Sequence, residues 1–253
     1  MSMLLILKQL FLIGLGVIIG ALVNYLADQL PSKKRLSYPH CCHCFKPLAP
    51  KMWFASISFI VGGCRCGNKI SHRSILVESI FAILLPLIYE VISTTAHFGI
   101  TSSLLACFFL IIVIDIEHKL ILNSVIIPAA FIALAYGMQT NNQDISIILA
   151  SGIAGYLLML LVFFGGKLYW KLLLKNKGLS RDFVVFGMGD VRLGGLIGLA
   201  TGWPELPQAI AVSFISSGIF AIAIRASSKY KPLTVLPFSP FLVVGALIAL
   251  LLS

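Results

Sequence analysis

An all-α, polytopic transmembrane bundle of about eight spans, with a small cytoplasmic cysteine-rich insertion, is the fold class this sequence predicts. Three observations predict it. Of the 253 residues, 59% are hydrophobic and only 11% are charged, whereas a soluble domain is about a quarter charged. Mean hydropathy is +1.01. The apolar residues also gather into windows near the length that crosses hydrocarbon, about 20 residues at helical rise.

Those windows run 4–27, 75–92, 98–114, 120–137, 145–165, 183–200, 208–224 and 235–252. The first reads as a span rather than a signal peptide, because it is long, has no basic start and lacks a small-residue cleavage pattern. Small-residue spacings such as Gly16 with Gly20, Gly152 with Gly155 and Gly198 with Gly202 suit close helix packing, since lipid offers no hydrophobic drive between helices. The predicted organisation is therefore a first helix at 1–27, a cytoplasmic cysteine-rich loop at 28–74 and a helical membrane core at 75–253.

Charge placement orients the bundle. The formal net charge is +10. Lys33, Lys34, Arg35, Lys46, Lys51, Arg65, Lys69 and Arg73 lie between the first two windows, and Lys119, the 167–181 loop and the 225–231 loop carry most of the rest. The alternate loops "STTAH", "MQTNNQD" and "GWPELP" carry neither Lys nor Arg. Basic loops stay on the cytoplasmic side, which puts both termini on the opposite face. This distribution explains the excess positive charge without a nucleic-acid partner. Lys8 and Arg192 are the two basic residues the rule leaves unassigned.

The loop at 28–74 holds "HCCHC" at 40–44 and "CRCG" at 64–67. Cys41, Cys44, Cys64 and Cys66 form two thiolate pairs that suit a tetrahedral zinc site, and such a metal supplies folding energy to a segment too small for its own core. Unliganded thiols in a loop, or a disulfide, are the other readings, the latter disfavoured in a reducing compartment. Cys42, His40 and His43 are spare donors. Cys107 reads as packing, and His72, His97 and His118 as headgroup-level residues without ligand spacing.

Two carboxylates stand out against this apolar background. Asp115 ends the third window in "IIVIDIEHKLI", and Asp190 sits in "FGMGDVRLGG" in the sixth. Burying a charge is costly unless it has partners or a task. Asp190 lies about eight residues into its window, roughly 12 Å at helical rise, and less if Gly187 and Gly189 unwind the helix start. Both aspartates thus fall in the cytoplasmic half of the membrane. Two carboxyls held close share one proton, and the ionised partner can then draw a proton from water while the protonated one polarises a scissile carbonyl, as in aspartic proteases. Three readings stand on the residues alone: hydrolase chemistry, a proton relay of a transporter, and structural pairing of Asp115 with Lys119 or of Asp190 with Arg192.

Several ordered motifs resemble the prepilin peptidase family, the GxGD-type intramembrane aspartyl proteases. These are "GMGD" at 187–190 with "VRLGG" after it, "IDIEHKLILNSVIIP" at 114–128, "GALVNYLADQLP" at 20–31, "GNKISHRSILVE" at 67–78 and "PFSPFLVVGA" at 237–246. The resemblance implies that Asp115 and Asp190 are the catalytic pair and that Gly187, Gly189 and Arg192 support it. It implies cleavage of the basic leader of type IV prepilins or pseudopilins after a glycine, at the cytoplasmic face of the bacterial inner membrane. It also implies, for many members, N-methylation of the new terminus with S-adenosylmethionine, and Asn24 and Glu78 match positions associated with that half. Zinc in the cysteine loop is implied likewise. The chain departs from the family pattern in two places. "CRCG" is one residue short of a second C-x-x-C, and Arg192 stands where lysine is usual. No glycine-rich nucleotide fingerprint for S-adenosylmethionine is present. A proton-coupled transporter and a non-enzymatic assembly partner are the alternative functions.

Overall fold

The computed structural model describes residues 3–33, 38, 44, 47, 49–61, 66, 71–92, 94–140, 143–169, 171–172, 187–226 and 237–252. The regular elements among them are all helical. They are α1 (Met3–Lys33), a 3₁₀ turn (Pro50–Met52), α2 (Ala55–Val61), α3 (His72–Val91), α4 (Thr95–His118), α5 (Asn123–Thr140), α6 (Ile145–Tyr169), α7 (Met188–Thr201), α8 (Glu205–Ala226) and α9 (Ser239–Leu252). Packing divides the chain into two compact units, Met1–Leu110 and Ile111–Ser253.

Six of the described helices, α1, α3, α4, α5, α6 and α8, are long and apolar enough to cross a membrane. The expectation of about eight is corrected. The windows at 183–200 and 235–252 correspond to α7 and α9, each 14 residues long. At 1.5 Å per residue that is about 21 Å, short of the roughly 30 Å of hydrocarbon. Burial explains why hydropathy misread α7. Leu193, Ile197 and Ala200 have no exposed surface, and Leu196 is nearly as deep, so its apolar side chains face protein. The expected cysteine-rich insertion is not described as a folded piece. Between α1 and α3 the described structure consists of the 3₁₀ turn, the seven-residue α2 and isolated positions.

In the first unit, α1 packs closely on α3. A β-carbon at Gly16 would lie 2.4 Å from the Phe81 carbonyl oxygen, and one at Gly20 would lie 2.7 Å from the Glu78 Cα. Only glycine permits that approach. Phe81 and Leu85 are fully buried, and Phe81 meets Phe109 edge-on with ring centroids 5.0 Å apart. Lys8, unassigned by the charge rule, lies 3.6 Å from Glu90 and 4.0 Å from the centre of the Tyr89 ring. Its charge is thus partnered within the protein.

In the second unit, α7 is the buried centre. Against α6 the two helices meet through glycines: β-carbons at Gly155 and Gly198 would lie 2.4 Å and 2.2 Å from the carbonyl oxygens of Gly194 and Ser151. Gly202, expected to pack, instead closes α7 as its C-cap at φ 72°, the left-handed region that favours glycine.

Candidate active site

The second unit brings the two aspartate segments together. Asp115 lies in the last turn of α4, which ends at His118. Lys119 then takes φ 53°, a left-handed C-terminal cap, and its N–H donates to the Asp115 carbonyl at 2.9 Å. Four residues, 119–122, separate α4 from α5.

Asp190 arrives by a different device. Helix α7 begins only at Met188, with Gly187 as its N-cap in extended conformation. The Asp190 N–H donates to the Gly187 carbonyl at 3.2 Å, and the Gly187 N–H donates back to Asp190 Oδ2 at 3.0 Å. The second bond is the half of a capping box in which the N3 side chain accepts the N-cap N–H; glycine has no side chain to supply the other half. Asp190 therefore stands in the first turn of its helix. The rest of the predicted span before Gly187, residues 183–186, lies outside the described residues.

Gly189 joins the two segments. A β-carbon there would sit 2.7 Å from Ile121 Cβ, so the first turn of α7 lies directly on the turn that follows α4. Gly187 differs, since its nearest neighbour would be Asp190 Oδ2 at 3.7 Å, an ordinary contact. The two glycines named together in the sequence thus have separate duties, one steric and one as a cap.

Both aspartates are buried, with 7% and 9% of their surface exposed for Asp115 and Asp190. Asp115 Oδ2 accepts the Ser239 N–H from the first residue of α9 at 3.2 Å. For each carboxylate, a single backbone N–H holds Oδ2, and no hydrogen bond to Oδ1 is present among the described residues. Two buried carboxylates with one oxygen each to spare can hold a water between them and exchange its proton.

The structural pairings considered from the sequence are not the ones found. Neither Asp115 with Lys119 nor Asp190 with Arg192 is an ion pair among the described residues. Arg192 Nη1 donates instead to Asn123 Oδ1, at the first residue of α5. Arg192 also lines a groove of about 380 Å³, together with apolar residues of α5, α6 and α7 such as Ile126, Leu149 and Leu199.

The other predicted residues lie in the first unit. Glu78 is buried with both oxygens bonded: Oε1 accepts the Ala55 N–H at 2.7 Å, and Oε2 accepts the Ser56 N–H at 2.8 Å and the Ser56 hydroxyl at 2.5 Å. It thus fastens the start of α2 to α3. Asn24 is also buried and donates from Nδ2 to the Ser74 carbonyl at 2.9 Å. Nearby, Arg73 pairs with Asp28 at 2.7 Å. Of the proposed zinc ligands, Cys41 and Cys64 lie outside the described residues, while Cys44 is half-buried and Cys66 exposed. Among the described residues no group of three or more His, Cys, Asp or Glu could hold a metal ion. Sequence reasoning missed Ser239 and Asn123 as neighbours of the site. For Ser239 a signal was present, since a serine between Pro237 and Pro240 at the opening of an apolar window marks a helix start.

Comparison with known proteins gives the same assignment from separate regions of the chain. Residues 102–222 match the type IV leader peptidase family, and residues 14–92 match the bacterial peptidase A24 N-terminal domain. The chain is similar to the prepilin leader peptidase/N-methyltransferase of Aeromonas salmonicida, 27% identical over 81% of this chain and 65% of that protein. It thus spans slightly less than two thirds of that relative's length. Proteins of the same name from Aeromonas hydrophila and Stutzerimonas stutzeri are 28% and 25% identical, over 88% and 94% of this chain and 74% and 88% of theirs. No solved structure matches. Together the two family matches take in well over half of the sequence and include both aspartate segments. The chain belongs to the type IV leader peptidase family.

Proposed function

We propose that this chain is an aspartyl endopeptidase that removes the basic leader of type IV prepilins or pseudopilins after a glycine, at the cytoplasmic face of the inner membrane. The observation that carries the reading is the pair of buried carboxylates on adjoining segments, each fixed by one backbone N–H and each with a spare oxygen. The names of the relatives support the substrate class. The basic loops support the cytoplasmic orientation.

In this mechanism the substrate's apolar segment enters from the membrane and its scissile peptide unwinds, because a helical carbonyl is already hydrogen-bonded. The ionised carboxylate takes a proton from the water as its oxygen bonds to the carbonyl carbon. The protonated partner donates to the carbonyl oxygen, giving a tetrahedral intermediate. Collapse breaks the C–N bond, and the proton passes to the leaving amine. Gly189 keeps the two carboxylate segments in contact, and Arg192 with Asn123 ties α7 to the start of α5.

N-methylation of the new terminus with S-adenosylmethionine is the second proposed activity, supported by the two-part name of the relatives. Structural zinc in the 28–74 segment is proposed on the donor chemistry of Cys41, Cys44, Cys64 and Cys66. Its test is the zinc content of purified protein before and after Cys44→Ser with Cys66→Ser; unchanged zinc rejects this ligand set.

The reading as a whole is tested by incubating the purified protein with a prepilin, with and without S-adenosylmethionine, and weighing the products. Loss of the leader mass supports the peptidase, and a further methyl mass supports the transferase. Proton flux into liposomes with no new N-terminus would replace the peptidase with a carrier. Neither activity would leave an assembly partner.

A further inference from the structure

Helix α9 opens in an unusual way for a helix start that is buried in protein. A helix start leaves its first N–H groups without intrahelical partners. Here Phe238 is the residue before the first turn, and its carbonyl accepts the Phe241 and Leu242 N–H groups at 3.1 Å and 3.2 Å. Pro240 has no N–H to offer. The Ser239 N–H is therefore the one donor left over in that turn, and it is directed at Asp115 Oδ2, 124 residues away in sequence.

The Ser239 side chain adds a second, independent observation. The residue has no exposed surface, and its hydroxyl has no hydrogen-bond partner among the described residues. Three other buried or part-buried serines and threonines in this unit, Ser151, Thr201 and Ser213, satisfy their hydroxyls on the carbonyl four residues back, at 2.9, 3.0 and 2.6 Å. Ser239 has no such carbonyl, because it begins its helix. An orphaned buried hydroxyl costs stability. It sits on the same residue whose N–H holds Asp115.

We infer that Ser239 is a further residue of the catalytic centre: its N–H fixes Asp115 Oδ2 and its hydroxyl holds the attacking water against the Asp115 carboxylate. This rests on the reading of Asp115 and Asp190 as the hydrolytic pair. The hydroxyl accepts or donates one hydrogen bond to the water and leaves the proton transfer to the carboxylate. Ser239 thus contributes to the chemical step and not to substrate affinity.

Ser239→Ala isolates the hydroxyl, because alanine keeps the N–H. Prepilin cleavage by the variant should show kcat lowered about tenfold, as for loss of one hydrogen bond, with KM within about twofold. Its melting temperature in detergent should equal that of the wild type, because the hydroxyl makes no hydrogen bond to another described residue. Wild-type kcat in Ser239→Ala would overturn the inference. So would a matched loss of activity and melting temperature, which would make the serine a structural element of α9. Asp115→Asn run alongside separates the two levels. An active Asp115→Asn would sink the aspartate pair and the role of Ser239 with it, whereas an inactive Asp115→Asn with a fully active Ser239→Ala would remove Ser239 alone.

Discussion

The first unit and the second both bury carboxylates, and they treat them differently. Glu78 spends both oxygens on three donors from the first turn of α2. Asp115 and Asp190 each spend one oxygen on one backbone N–H. A buried carboxylate with both oxygens bonded is a structural fastener, and removing it leaves donors stranded. One that keeps an oxygen in reserve carries the desolvation cost without full return, a burden expected at sites of chemistry. The family motifs alone do not make this distinction, because all three acidic residues lie in matching segments.

The largest effect should come from the reserved oxygens. Asp115→Asn or Asp190→Asn should lower leader removal by about 10³-fold or more, the scale of general acid–base catalysis, with normal amounts of folded protein in the membrane. A near-normal rate in either would break the comparison at its centre.

The next effect sharpens it at the glycines. Gly189→Ala forces its new methyl group against Ile121 Cβ, with an initial separation of 2.7 Å, so the aspartate segments must part. A displacement near 1 Å costs about 100-fold in rate. Gly187→Ala meets nothing closer than 3.7 Å and should stay within about threefold. Equal losses in kcat/KM for the two variants would contradict the division of duties between them.

Glu78→Ala tests the other side of the comparison. It strands two backbone N–H groups and a hydroxyl, and should destabilise the attachment of α2 by about 2 kcal/mol. Limited proteolysis should then cut near residues 55–61 sooner, while prepilin cleavage stays within about twofold. The smallest effect belongs to Arg192→Lys. Charge is kept and the guanidinium bond to Asn123 is lost, so kcat/KM should fall by no more than about fivefold.

Much of the helical framework was legible in the sequence because hydrophobic windows report directly on a bilayer. Six windows became helices long enough to cross it. The windows over α7 and α9 read alike but stand for 14-residue helices, because a side chain buried in protein and one facing lipid have the same hydropathy. "GMGD" marked Asp190 beside two glycines, and Gly187 is the residue at which its helix begins. What stayed hidden were the partners. Ser239 reaches Asp115 across 124 positions, Arg192 reaches Asn123 across 69, and Lys8 meets Glu90 near the far end of α3. Such pairs follow from which helices touch, and no local pattern encodes that. Glu78 matches by resemblance a position associated with the methylation half or its support, and its bonds to Ala55 and Ser56, 23 and 22 positions away, had no signal in the sequence.

The most direct test weighs a purified prepilin after incubation with Asp115→Asn, Asp190→Asn and Glu78→Ala at matched amounts of folded protein. The account predicts an intact leader with both asparagine variants and a released leader with Glu78→Ala. Release by either asparagine variant at near wild-type rate, or an intact leader with Glu78→Ala alone, would contradict it.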